Sequence, residues 1–454
     1  MKHNNKIVGS VVVAALLSLG VTGCGNDTKT VEVEKIVKVE KIIGANASIT
    51  EAKKSAALTT YADIALANYT DAFNDAKLLV NAIDSFTAKP TESTLNAAKT
   101  AWKTSRESYG TTEIFRLSNG PIDAEEGFAA SWDAPEGQLN AWPLDENMID
   151  YTTDASGALT SGNIIDTAGN FTPNGGDTVD VTTITKNAIA DLNENGGDAN
   201  VATGYHAVEF LLWGQDQDYA DFTADTVTNG AGVAGQRAVT DFTSAANANR
   251  RIAYLKASAQ LIVDDLEKMV TAWTDEENSY RRAFLGDGKN AIATDIALKQ
   301  VFAGMGTFIK SELANERMAV AILTPSEEDE HSCFSDNTHR DISTNYQGFV
   351  NVLKGEYKGE SKGESFYSVL TTDTKEGLDT LITSIDAKVK SMNDAVSAGE
   401  NFDYQIKDGS DNKANLTNAK NSMRSLGDTM VDVAREYAIS LSASDVQDGE
   451  ETEL

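Results

Sequence analysis

Apolar residues recur at three- and four-residue spacing over long runs of this chain, and only six prolines interrupt its 454 residues. That pattern leaves little room for anything but helix. Residues 48–88 carry Leu66, Tyr69, Phe73, Ala76, Val80 and Ile83 at helical spacing, and Pro90 ends the run. A second helix is expected over 93–117, through Trp102, Tyr109 and Phe115. The pattern returns near Ile184 and continues through "GYHAVEFLLWG" (204–214). "RRIAYLKASAQLIVDDLEKMVTAW" is strongly amphipathic, and further helices are expected at 295–322, 334–354, 365–395 and 413–442. Residues 154–182 and "WGQDQDYADFTADTVTNGAGVAGQR" are rich in Gly, Asn, Thr and Asp and read as irregular excursions. The fold class is all-α. "TAWKTSRESY" (100–109) and "TAWTDEENSY" (271–280) echo each other, which suggests two pseudo-duplicated four-helix bundles with irregular insertions. The expected division is an N-terminal domain at 48–240, a C-terminal domain at 241–445 and an acidic tail at 446–454.

The N-terminus reads as a leader. Lys2 and Lys6 precede the apolar run "IVGSVVVAALLSLGV", and "VTGC" then resembles a bacterial lipobox. This implies a signal peptide at 1–23, lipidation of Cys24, and a tether at 24–47 built on "VEKIV" and "VEKII". Gly25 after the cysteine points to an outer-membrane lipoprotein of the cell envelope, facing the periplasm and held to the membrane by its lipid. Cys333 is the only other cysteine, so neither a disulfide framework nor a CxxCH haem attachment is available. A net charge of −31 argues against nucleic acid as a partner.

Chemistry concentrates in a few places. His206 and Glu209 are three apart, hence on one helical face, among residues apolar almost all round. A buried carboxylate needs a partner, and a metal ion or a shared polar network would satisfy both residues. "TEIFRLSNGPID" adds Glu113, Arg116 and Asp123; "LNAWPLDENMIDY" adds Asp145, Glu146 and Asp150. "EDEHSCFSDNTHRD" (328–341) holds His331, Cys333, Asp336, His339 and Asp341, with Ser332, Ser335 and Asp336 suited to capping a helix. None of these spacings is a metal template such as HExxH.

"GYHAVEF" resembles the GxHxxE motif of the imelysin-like family, and "WKTSRESYGTTEIFRLSNGPID", "LNAWPLDENMIDY", "GMGTFIKSELANERM" and "EDEHSCFSDNTHRD" are similar in the same order, the last to its iron-regulated protein A branch. The resemblance implies two helical bundles with the motif near their junction, and a metal-binding role in iron acquisition. Gly204, His206 and Glu209 would be the motif residues. His206, Glu209, Glu113 and either Asp145 or Asp150 would hold iron, or zinc, with Arg116, Ser332, Asp336 and His339 in support. The partner would be a metal ion or an iron carrier, with an iron-uptake protein of the outer membrane or periplasm. Cys333 is expected to be a small buried thiol. Two other readings stand beside this one. A metallopeptidase lacks HExxH and HxxEH, and one His with one Glu leaves a catalytic zinc short of three protein ligands. An envelope protein that binds a haem- or iron-carrying partner without holding metal would make the same residues a structural polar core.

Overall fold

The computed structural model describes residues 44–153, 157–216, 234–325 and 329–448. The expected leader, Cys24 and most of the tether and tail lie outside them. The fold is mostly helical, at 61% helix against 3% strand, as the sequence class requires.

Helix α1 (Glu51–Ala88) starts where the Thr50 hydroxyl accepts from the Lys53 N–H. Its core stripe runs through Tyr69, Ala72, Ala76, Leu79, Ile83 and Phe86, all buried. Leu66, Phe73 and Val80, expected on the stripe, flank it and are only partly buried. After Pro90, Thr91 and Thr94 form a reciprocal capping box that opens α2 (Glu92–Gly110). A 3₁₀ turn (Thr111–Phe115) ends this segment. Helix α3 (Gly204–Trp213) buries every one of its residues, as an all-round apolar helix must. Helix α4 (Ala248–Trp273) packs on α1 and α3. By sequence position α4 falls in the expected second domain, and it packs on two helices of the first.

The echo between 100–109 and 271–280 does not extend to local structure. The first stretch is continuous helix inside α2, whereas the second runs off the end of α4 and into a short helix, Tyr280–Phe284, capped by Ser279.

Helix α5 (Thr294–Thr307) passes without a break into a π-helical segment, Phe308–Ala319, and then one α turn, Val320–Leu323. Helices α6 (Thr338–Lys354), α7 (Thr372–Ser397), α8 (Lys413–Asp428) and α9 (Met430–Glu436) complete the second group. Helix α8 packs on α7 and on the π segment, while α6 packs back on α2 and its 3₁₀ turn. Helix α6 therefore ties the two groups together beside α3.

The excursion before α3 carries a two-strand hairpin, Asn170–Phe171 with Val179–Asp180. It is fastened to α4 by Arg250, whose guanidinium donates to the carbonyls of Ile164, Ile165, Thr167, Val181 and Thr182.

Candidate functional site

Gly204 decides how α3 enters the core. Its φ is +83°, and a Cβ there would lie 2.4 Å from the Leu139 carbonyl oxygen. Only glycine permits both the left-handed backbone and that approach. Tyr205 is then held by Trp102 Nε1, which donates to its carbonyl at 2.9 Å, and by Ser105 against its hydroxyl at 2.8 Å.

One turn in, His206 is fully buried. Its Nδ1 faces Glu209 Oε2 at 3.0 Å, while its Nε2 is buried without a partner. The other Glu209 oxygen accepts from the Ser335 N–H at 3.0 Å and hydroxyl at 2.7 Å. Burial pushes the Glu209 carboxyl up to about 8, against the pull of Ser335. Burial, with His331 beside it, holds the His206 imidazole well below its usual range.

His331 meets His206 edge to face, ring centroids 4.8 Å apart. Trp142 lies 4.7 Å from the His206 ring on another side. The His331 Nδ1 faces Asp341 Oδ2 at 2.8 Å. Asp341 also accepts from the Ser332 hydroxyl at 2.6 Å and pairs with Arg106 at 2.9 Å. Burial opposes ionisation of Asp341, but Arg106 and His331 outweigh it and hold this carboxyl well below its usual range. Burial and Arg317 lower His331, so both imidazoles are neutral near neutral pH.

A second polar layer continues outward. Arg106 donates to Asn140 at 2.5 Å, and Asn140 donates to Glu113 at 3.4 Å. Glu113 pairs with Arg317 and lies 3.7 Å from Arg116. Arg116 reaches Glu312 at 2.9 Å and Glu136 at 3.2 Å. Burial opposes the charge on Glu312, yet Arg116 and Arg317 bring its pKa down to about 2.

The π segment is what lets Glu312 meet Arg317, with contacts at 2.8 and 3.1 Å. Five residues span about 1.4 turns of an α-helix and would point the two apart. In a π-helix, bonded i to i+5, residues five apart stack. Glu312, Glu316 and Arg317 line a cleft of about 380 Å³ that opens onto Trp142 and His331. Its wall holds six carboxylates (Glu136, Glu194, Asp198, Glu312, Glu316 and Asp329) and two arginines, Arg116 and Arg317.

Several expected ligands are placed elsewhere. Asp145 caps a short helix, accepting from the Met148 N–H at 3.0 Å. Asp150 is clamped between Arg237 at 2.7 Å and Arg251 at 2.6 Å. Glu113 is taken up by arginines. Asp336 and His339 line a different cleft, behind Ser335. Asn337, not a serine or Asp336, occupies the N-cap of α6, and it does so without a side-chain cap bond. Ser332 does support the site, through Asp341, and Cys333 is buried. Sequence reasoning passed over Arg106, Asn140, Glu312 and Arg317, although all four lie in the stretches quoted for the family resemblance. Among the described residues, no group of three or more His, Cys, Asp or Glu side chains is placed to hold a metal ion. What the core offers a cation is a pair of carboxylate-tethered imidazoles, one with an orphaned buried nitrogen.

Known proteins place the chain. It is 22% identical over 298 residues to iron-regulated protein A of Synechococcus elongatus, a stretch covering 64% of this chain and 62% of that relative. The alignment thus spans less than two thirds of the relative's length. A crystal structure described as an iron-regulated protein A precursor from Parabacteroides distasonis superposes with a TM-score of 0.59 at 17% identity, covering 88% of this chain and 98% of the other. An imelysin-like protein from Psychrobacter arcticum gives 0.55 at 13%, covering 88% and 100%. At these identities the two structures speak for the fold alone. The imelysin sequence profile matches residues 65–430, and the chain belongs to the imelysin family.

Proposed function

We propose that this chain is a lipid-anchored envelope protein of iron acquisition that holds a metal cation at His206 and His331. The carrying observation is the buried, unpartnered Nε2 of His206, on a ring whose Nδ1 is fixed by Glu209. His331 is fixed the same way by Asp341. A carboxylate on one imidazole nitrogen sets the tautomer and presents the other nitrogen as a ligand; at Glu209 this requires that metal binding displace the proton its carboxyl holds near neutrality. In this reading Glu209 orients rather than ligates. Neutral imidazoles suit iron or zinc, and the acidic cleft beside His331 draws cations rather than an anionic carrier. The remaining coordination positions fall to solvent or to the donor that delivers the metal. The name of the Synechococcus relative supports iron. Anchoring through Cys24, an outer-membrane location facing the periplasm and an iron-uptake partner belong to the same proposal.

The test is equilibrium titration of the full chain with ferrous iron and with zinc. One equivalent should bind. His206→Ala should abolish that binding, and Glu209→Gln should weaken it roughly ten- to a hundredfold, as loss of an orienting partner does. Absence of stoichiometric binding, or equal affinity in His206→Ala, would overturn the proposal and leave a structural polar core.

A further inference from the structure

The loop that carries His331 borders a second cleft on its other side, of about 560 Å³, lined by Lys103, Glu107, Asp336, Asn337, His339 and Arg340 among others. Two side chains there have N–H groups to spare. Lys103 donates to the Ser335 carbonyl at 2.8 Å, and among the described residues no carboxylate comes within ion-pair distance of its ammonium. Asn337 is 2% exposed, and its Nδ2 is buried with no hydrogen bond. A buried amide N–H without a partner carries a desolvation penalty that a bound acceptor would remove.

The local charges leave room for a negative group. Arg340 neutralises Glu107 with two bonds of 2.7 Å. Asp336 already accepts from Asn401 at 2.6 Å, and burial, with Asp403 nearby, pushes its carboxyl up to about 7. The cleft also sits at the first turn of the 17-residue helix α6, where the helix dipole and the free N–H groups favour an anion.

We propose that this cleft is a binding site for a small oxyanion, phosphate or carboxylate, held by Lys103, Asn337 and the first turn of α6. Ser335 joins it to the histidine pair: its carbonyl takes Lys103, and its N–H and hydroxyl hold Glu209. The oxyanion site does not depend on metal binding at His206.

The experiment is calorimetric titration of the full, metal-free chain with inorganic phosphate and, separately, with acetate, at fixed ionic strength. Saturable one-to-one binding of either is expected, and the anion that saturates identifies the class. Lys103→Met and Asn337→Leu should each weaken it at least tenfold, and Lys103→Arg should retain it. A thermal melt of each variant checks folding, and Lys103→Met, at a half-buried position, serves if Asn337→Leu does not fold. No saturable binding of either anion by the wild type, or unchanged affinity in Lys103→Met, would overturn the proposal.

Discussion

The rings of His206 and His331 stand edge to face, 4.8 Å between centroids, and each turns its Nδ1 to a different carboxylate. The two carboxylates are not equivalent. Asp341 is paired with Arg106, whereas Glu209 is held by the neutral donors of Ser335. One is firmly ionised and the other keeps a proton near neutrality.

That difference fixes a pH dependence. The usual carboxyl value is 4.5, and in the fold Glu209 rises to about 8. The folded chain therefore holds a proton that the unfolded chain releases. The stability this supplies is full below about 4.5 and is lost as the pH climbs through about 8. The depressed carboxyls Asp341 and Glu312 act in the opposite sense at acid pH, equally in both proteins compared, and cancel in the difference. Denaturant unfolding of the metal-free chain should show the wild type losing stability relative to Glu209→Gln between about pH 5 and 8. Parallel profiles would contradict the assignment.

Arg317 holds Glu113 and Glu312 together in the buried layer. Removing one partner of a buried pair strands a charge, so Arg317→Met should cost about 3–5 kcal/mol. Adding Glu113→Gln to that variant should recover part of the loss. Chemical denaturation of the four members of this cycle measures the coupling; simple additivity would rule out a shared interaction.

Gly204→Ala should destabilise the chain by at least about 2 kcal/mol, since it forces both a left-handed backbone and a clash. The predicted contact is with the Leu139 carbonyl. Gly288, also at positive φ but facing open space, is the control, and Gly288→Ala should be milder. Equal losses at both sites would show that the close approach at Leu139 contributes nothing.

Arg250→Met removes a donor from five carbonyls, of which Ile164 keeps only a 3.3 Å bond from the Thr167 N–H. Hydrogen exchange should accelerate over residues 163–182 while α1 and α4 keep their protection. Unchanged exchange in that segment would contradict its role as the fastening.

The helices were legible because burial imposes their period on the sequence, and α3 was legible as buried because it is apolar all round. That His206 and Glu209 share one face followed from their spacing on that helix. The rest of the site was not legible in the same way. His331, Arg106 and Arg317 reach the core from three other segments, and nothing local marks which acid each will meet. Asp150 was expected, as an alternative to Asp145, from the family resemblance, but its arginine partners lie far along the chain. The π segment hid because its apolar pattern matches that of the α-helix it continues; only the i, i+5 contact of Glu312 with Arg317 betrays it. The stripe of α1 was misplaced by a fraction of a turn because alanines, Ala72 and Ala76 among them, do much of the packing.

The chain has four histidines, three of them in the described residues, so a long-range proton–nitrogen spectrum of the histidine-labelled protein is simple to read. We would record it before and after one equivalent of zinc. The account predicts that His206 and His331 both carry their proton on Nδ1 in the zinc-loaded protein, that both Nε2 resonances shift on loading, and that His339 stays put. If neither Nε2 moves while zinc binds, or if the metal shifts His339 instead, the histidine pair is not the metal site.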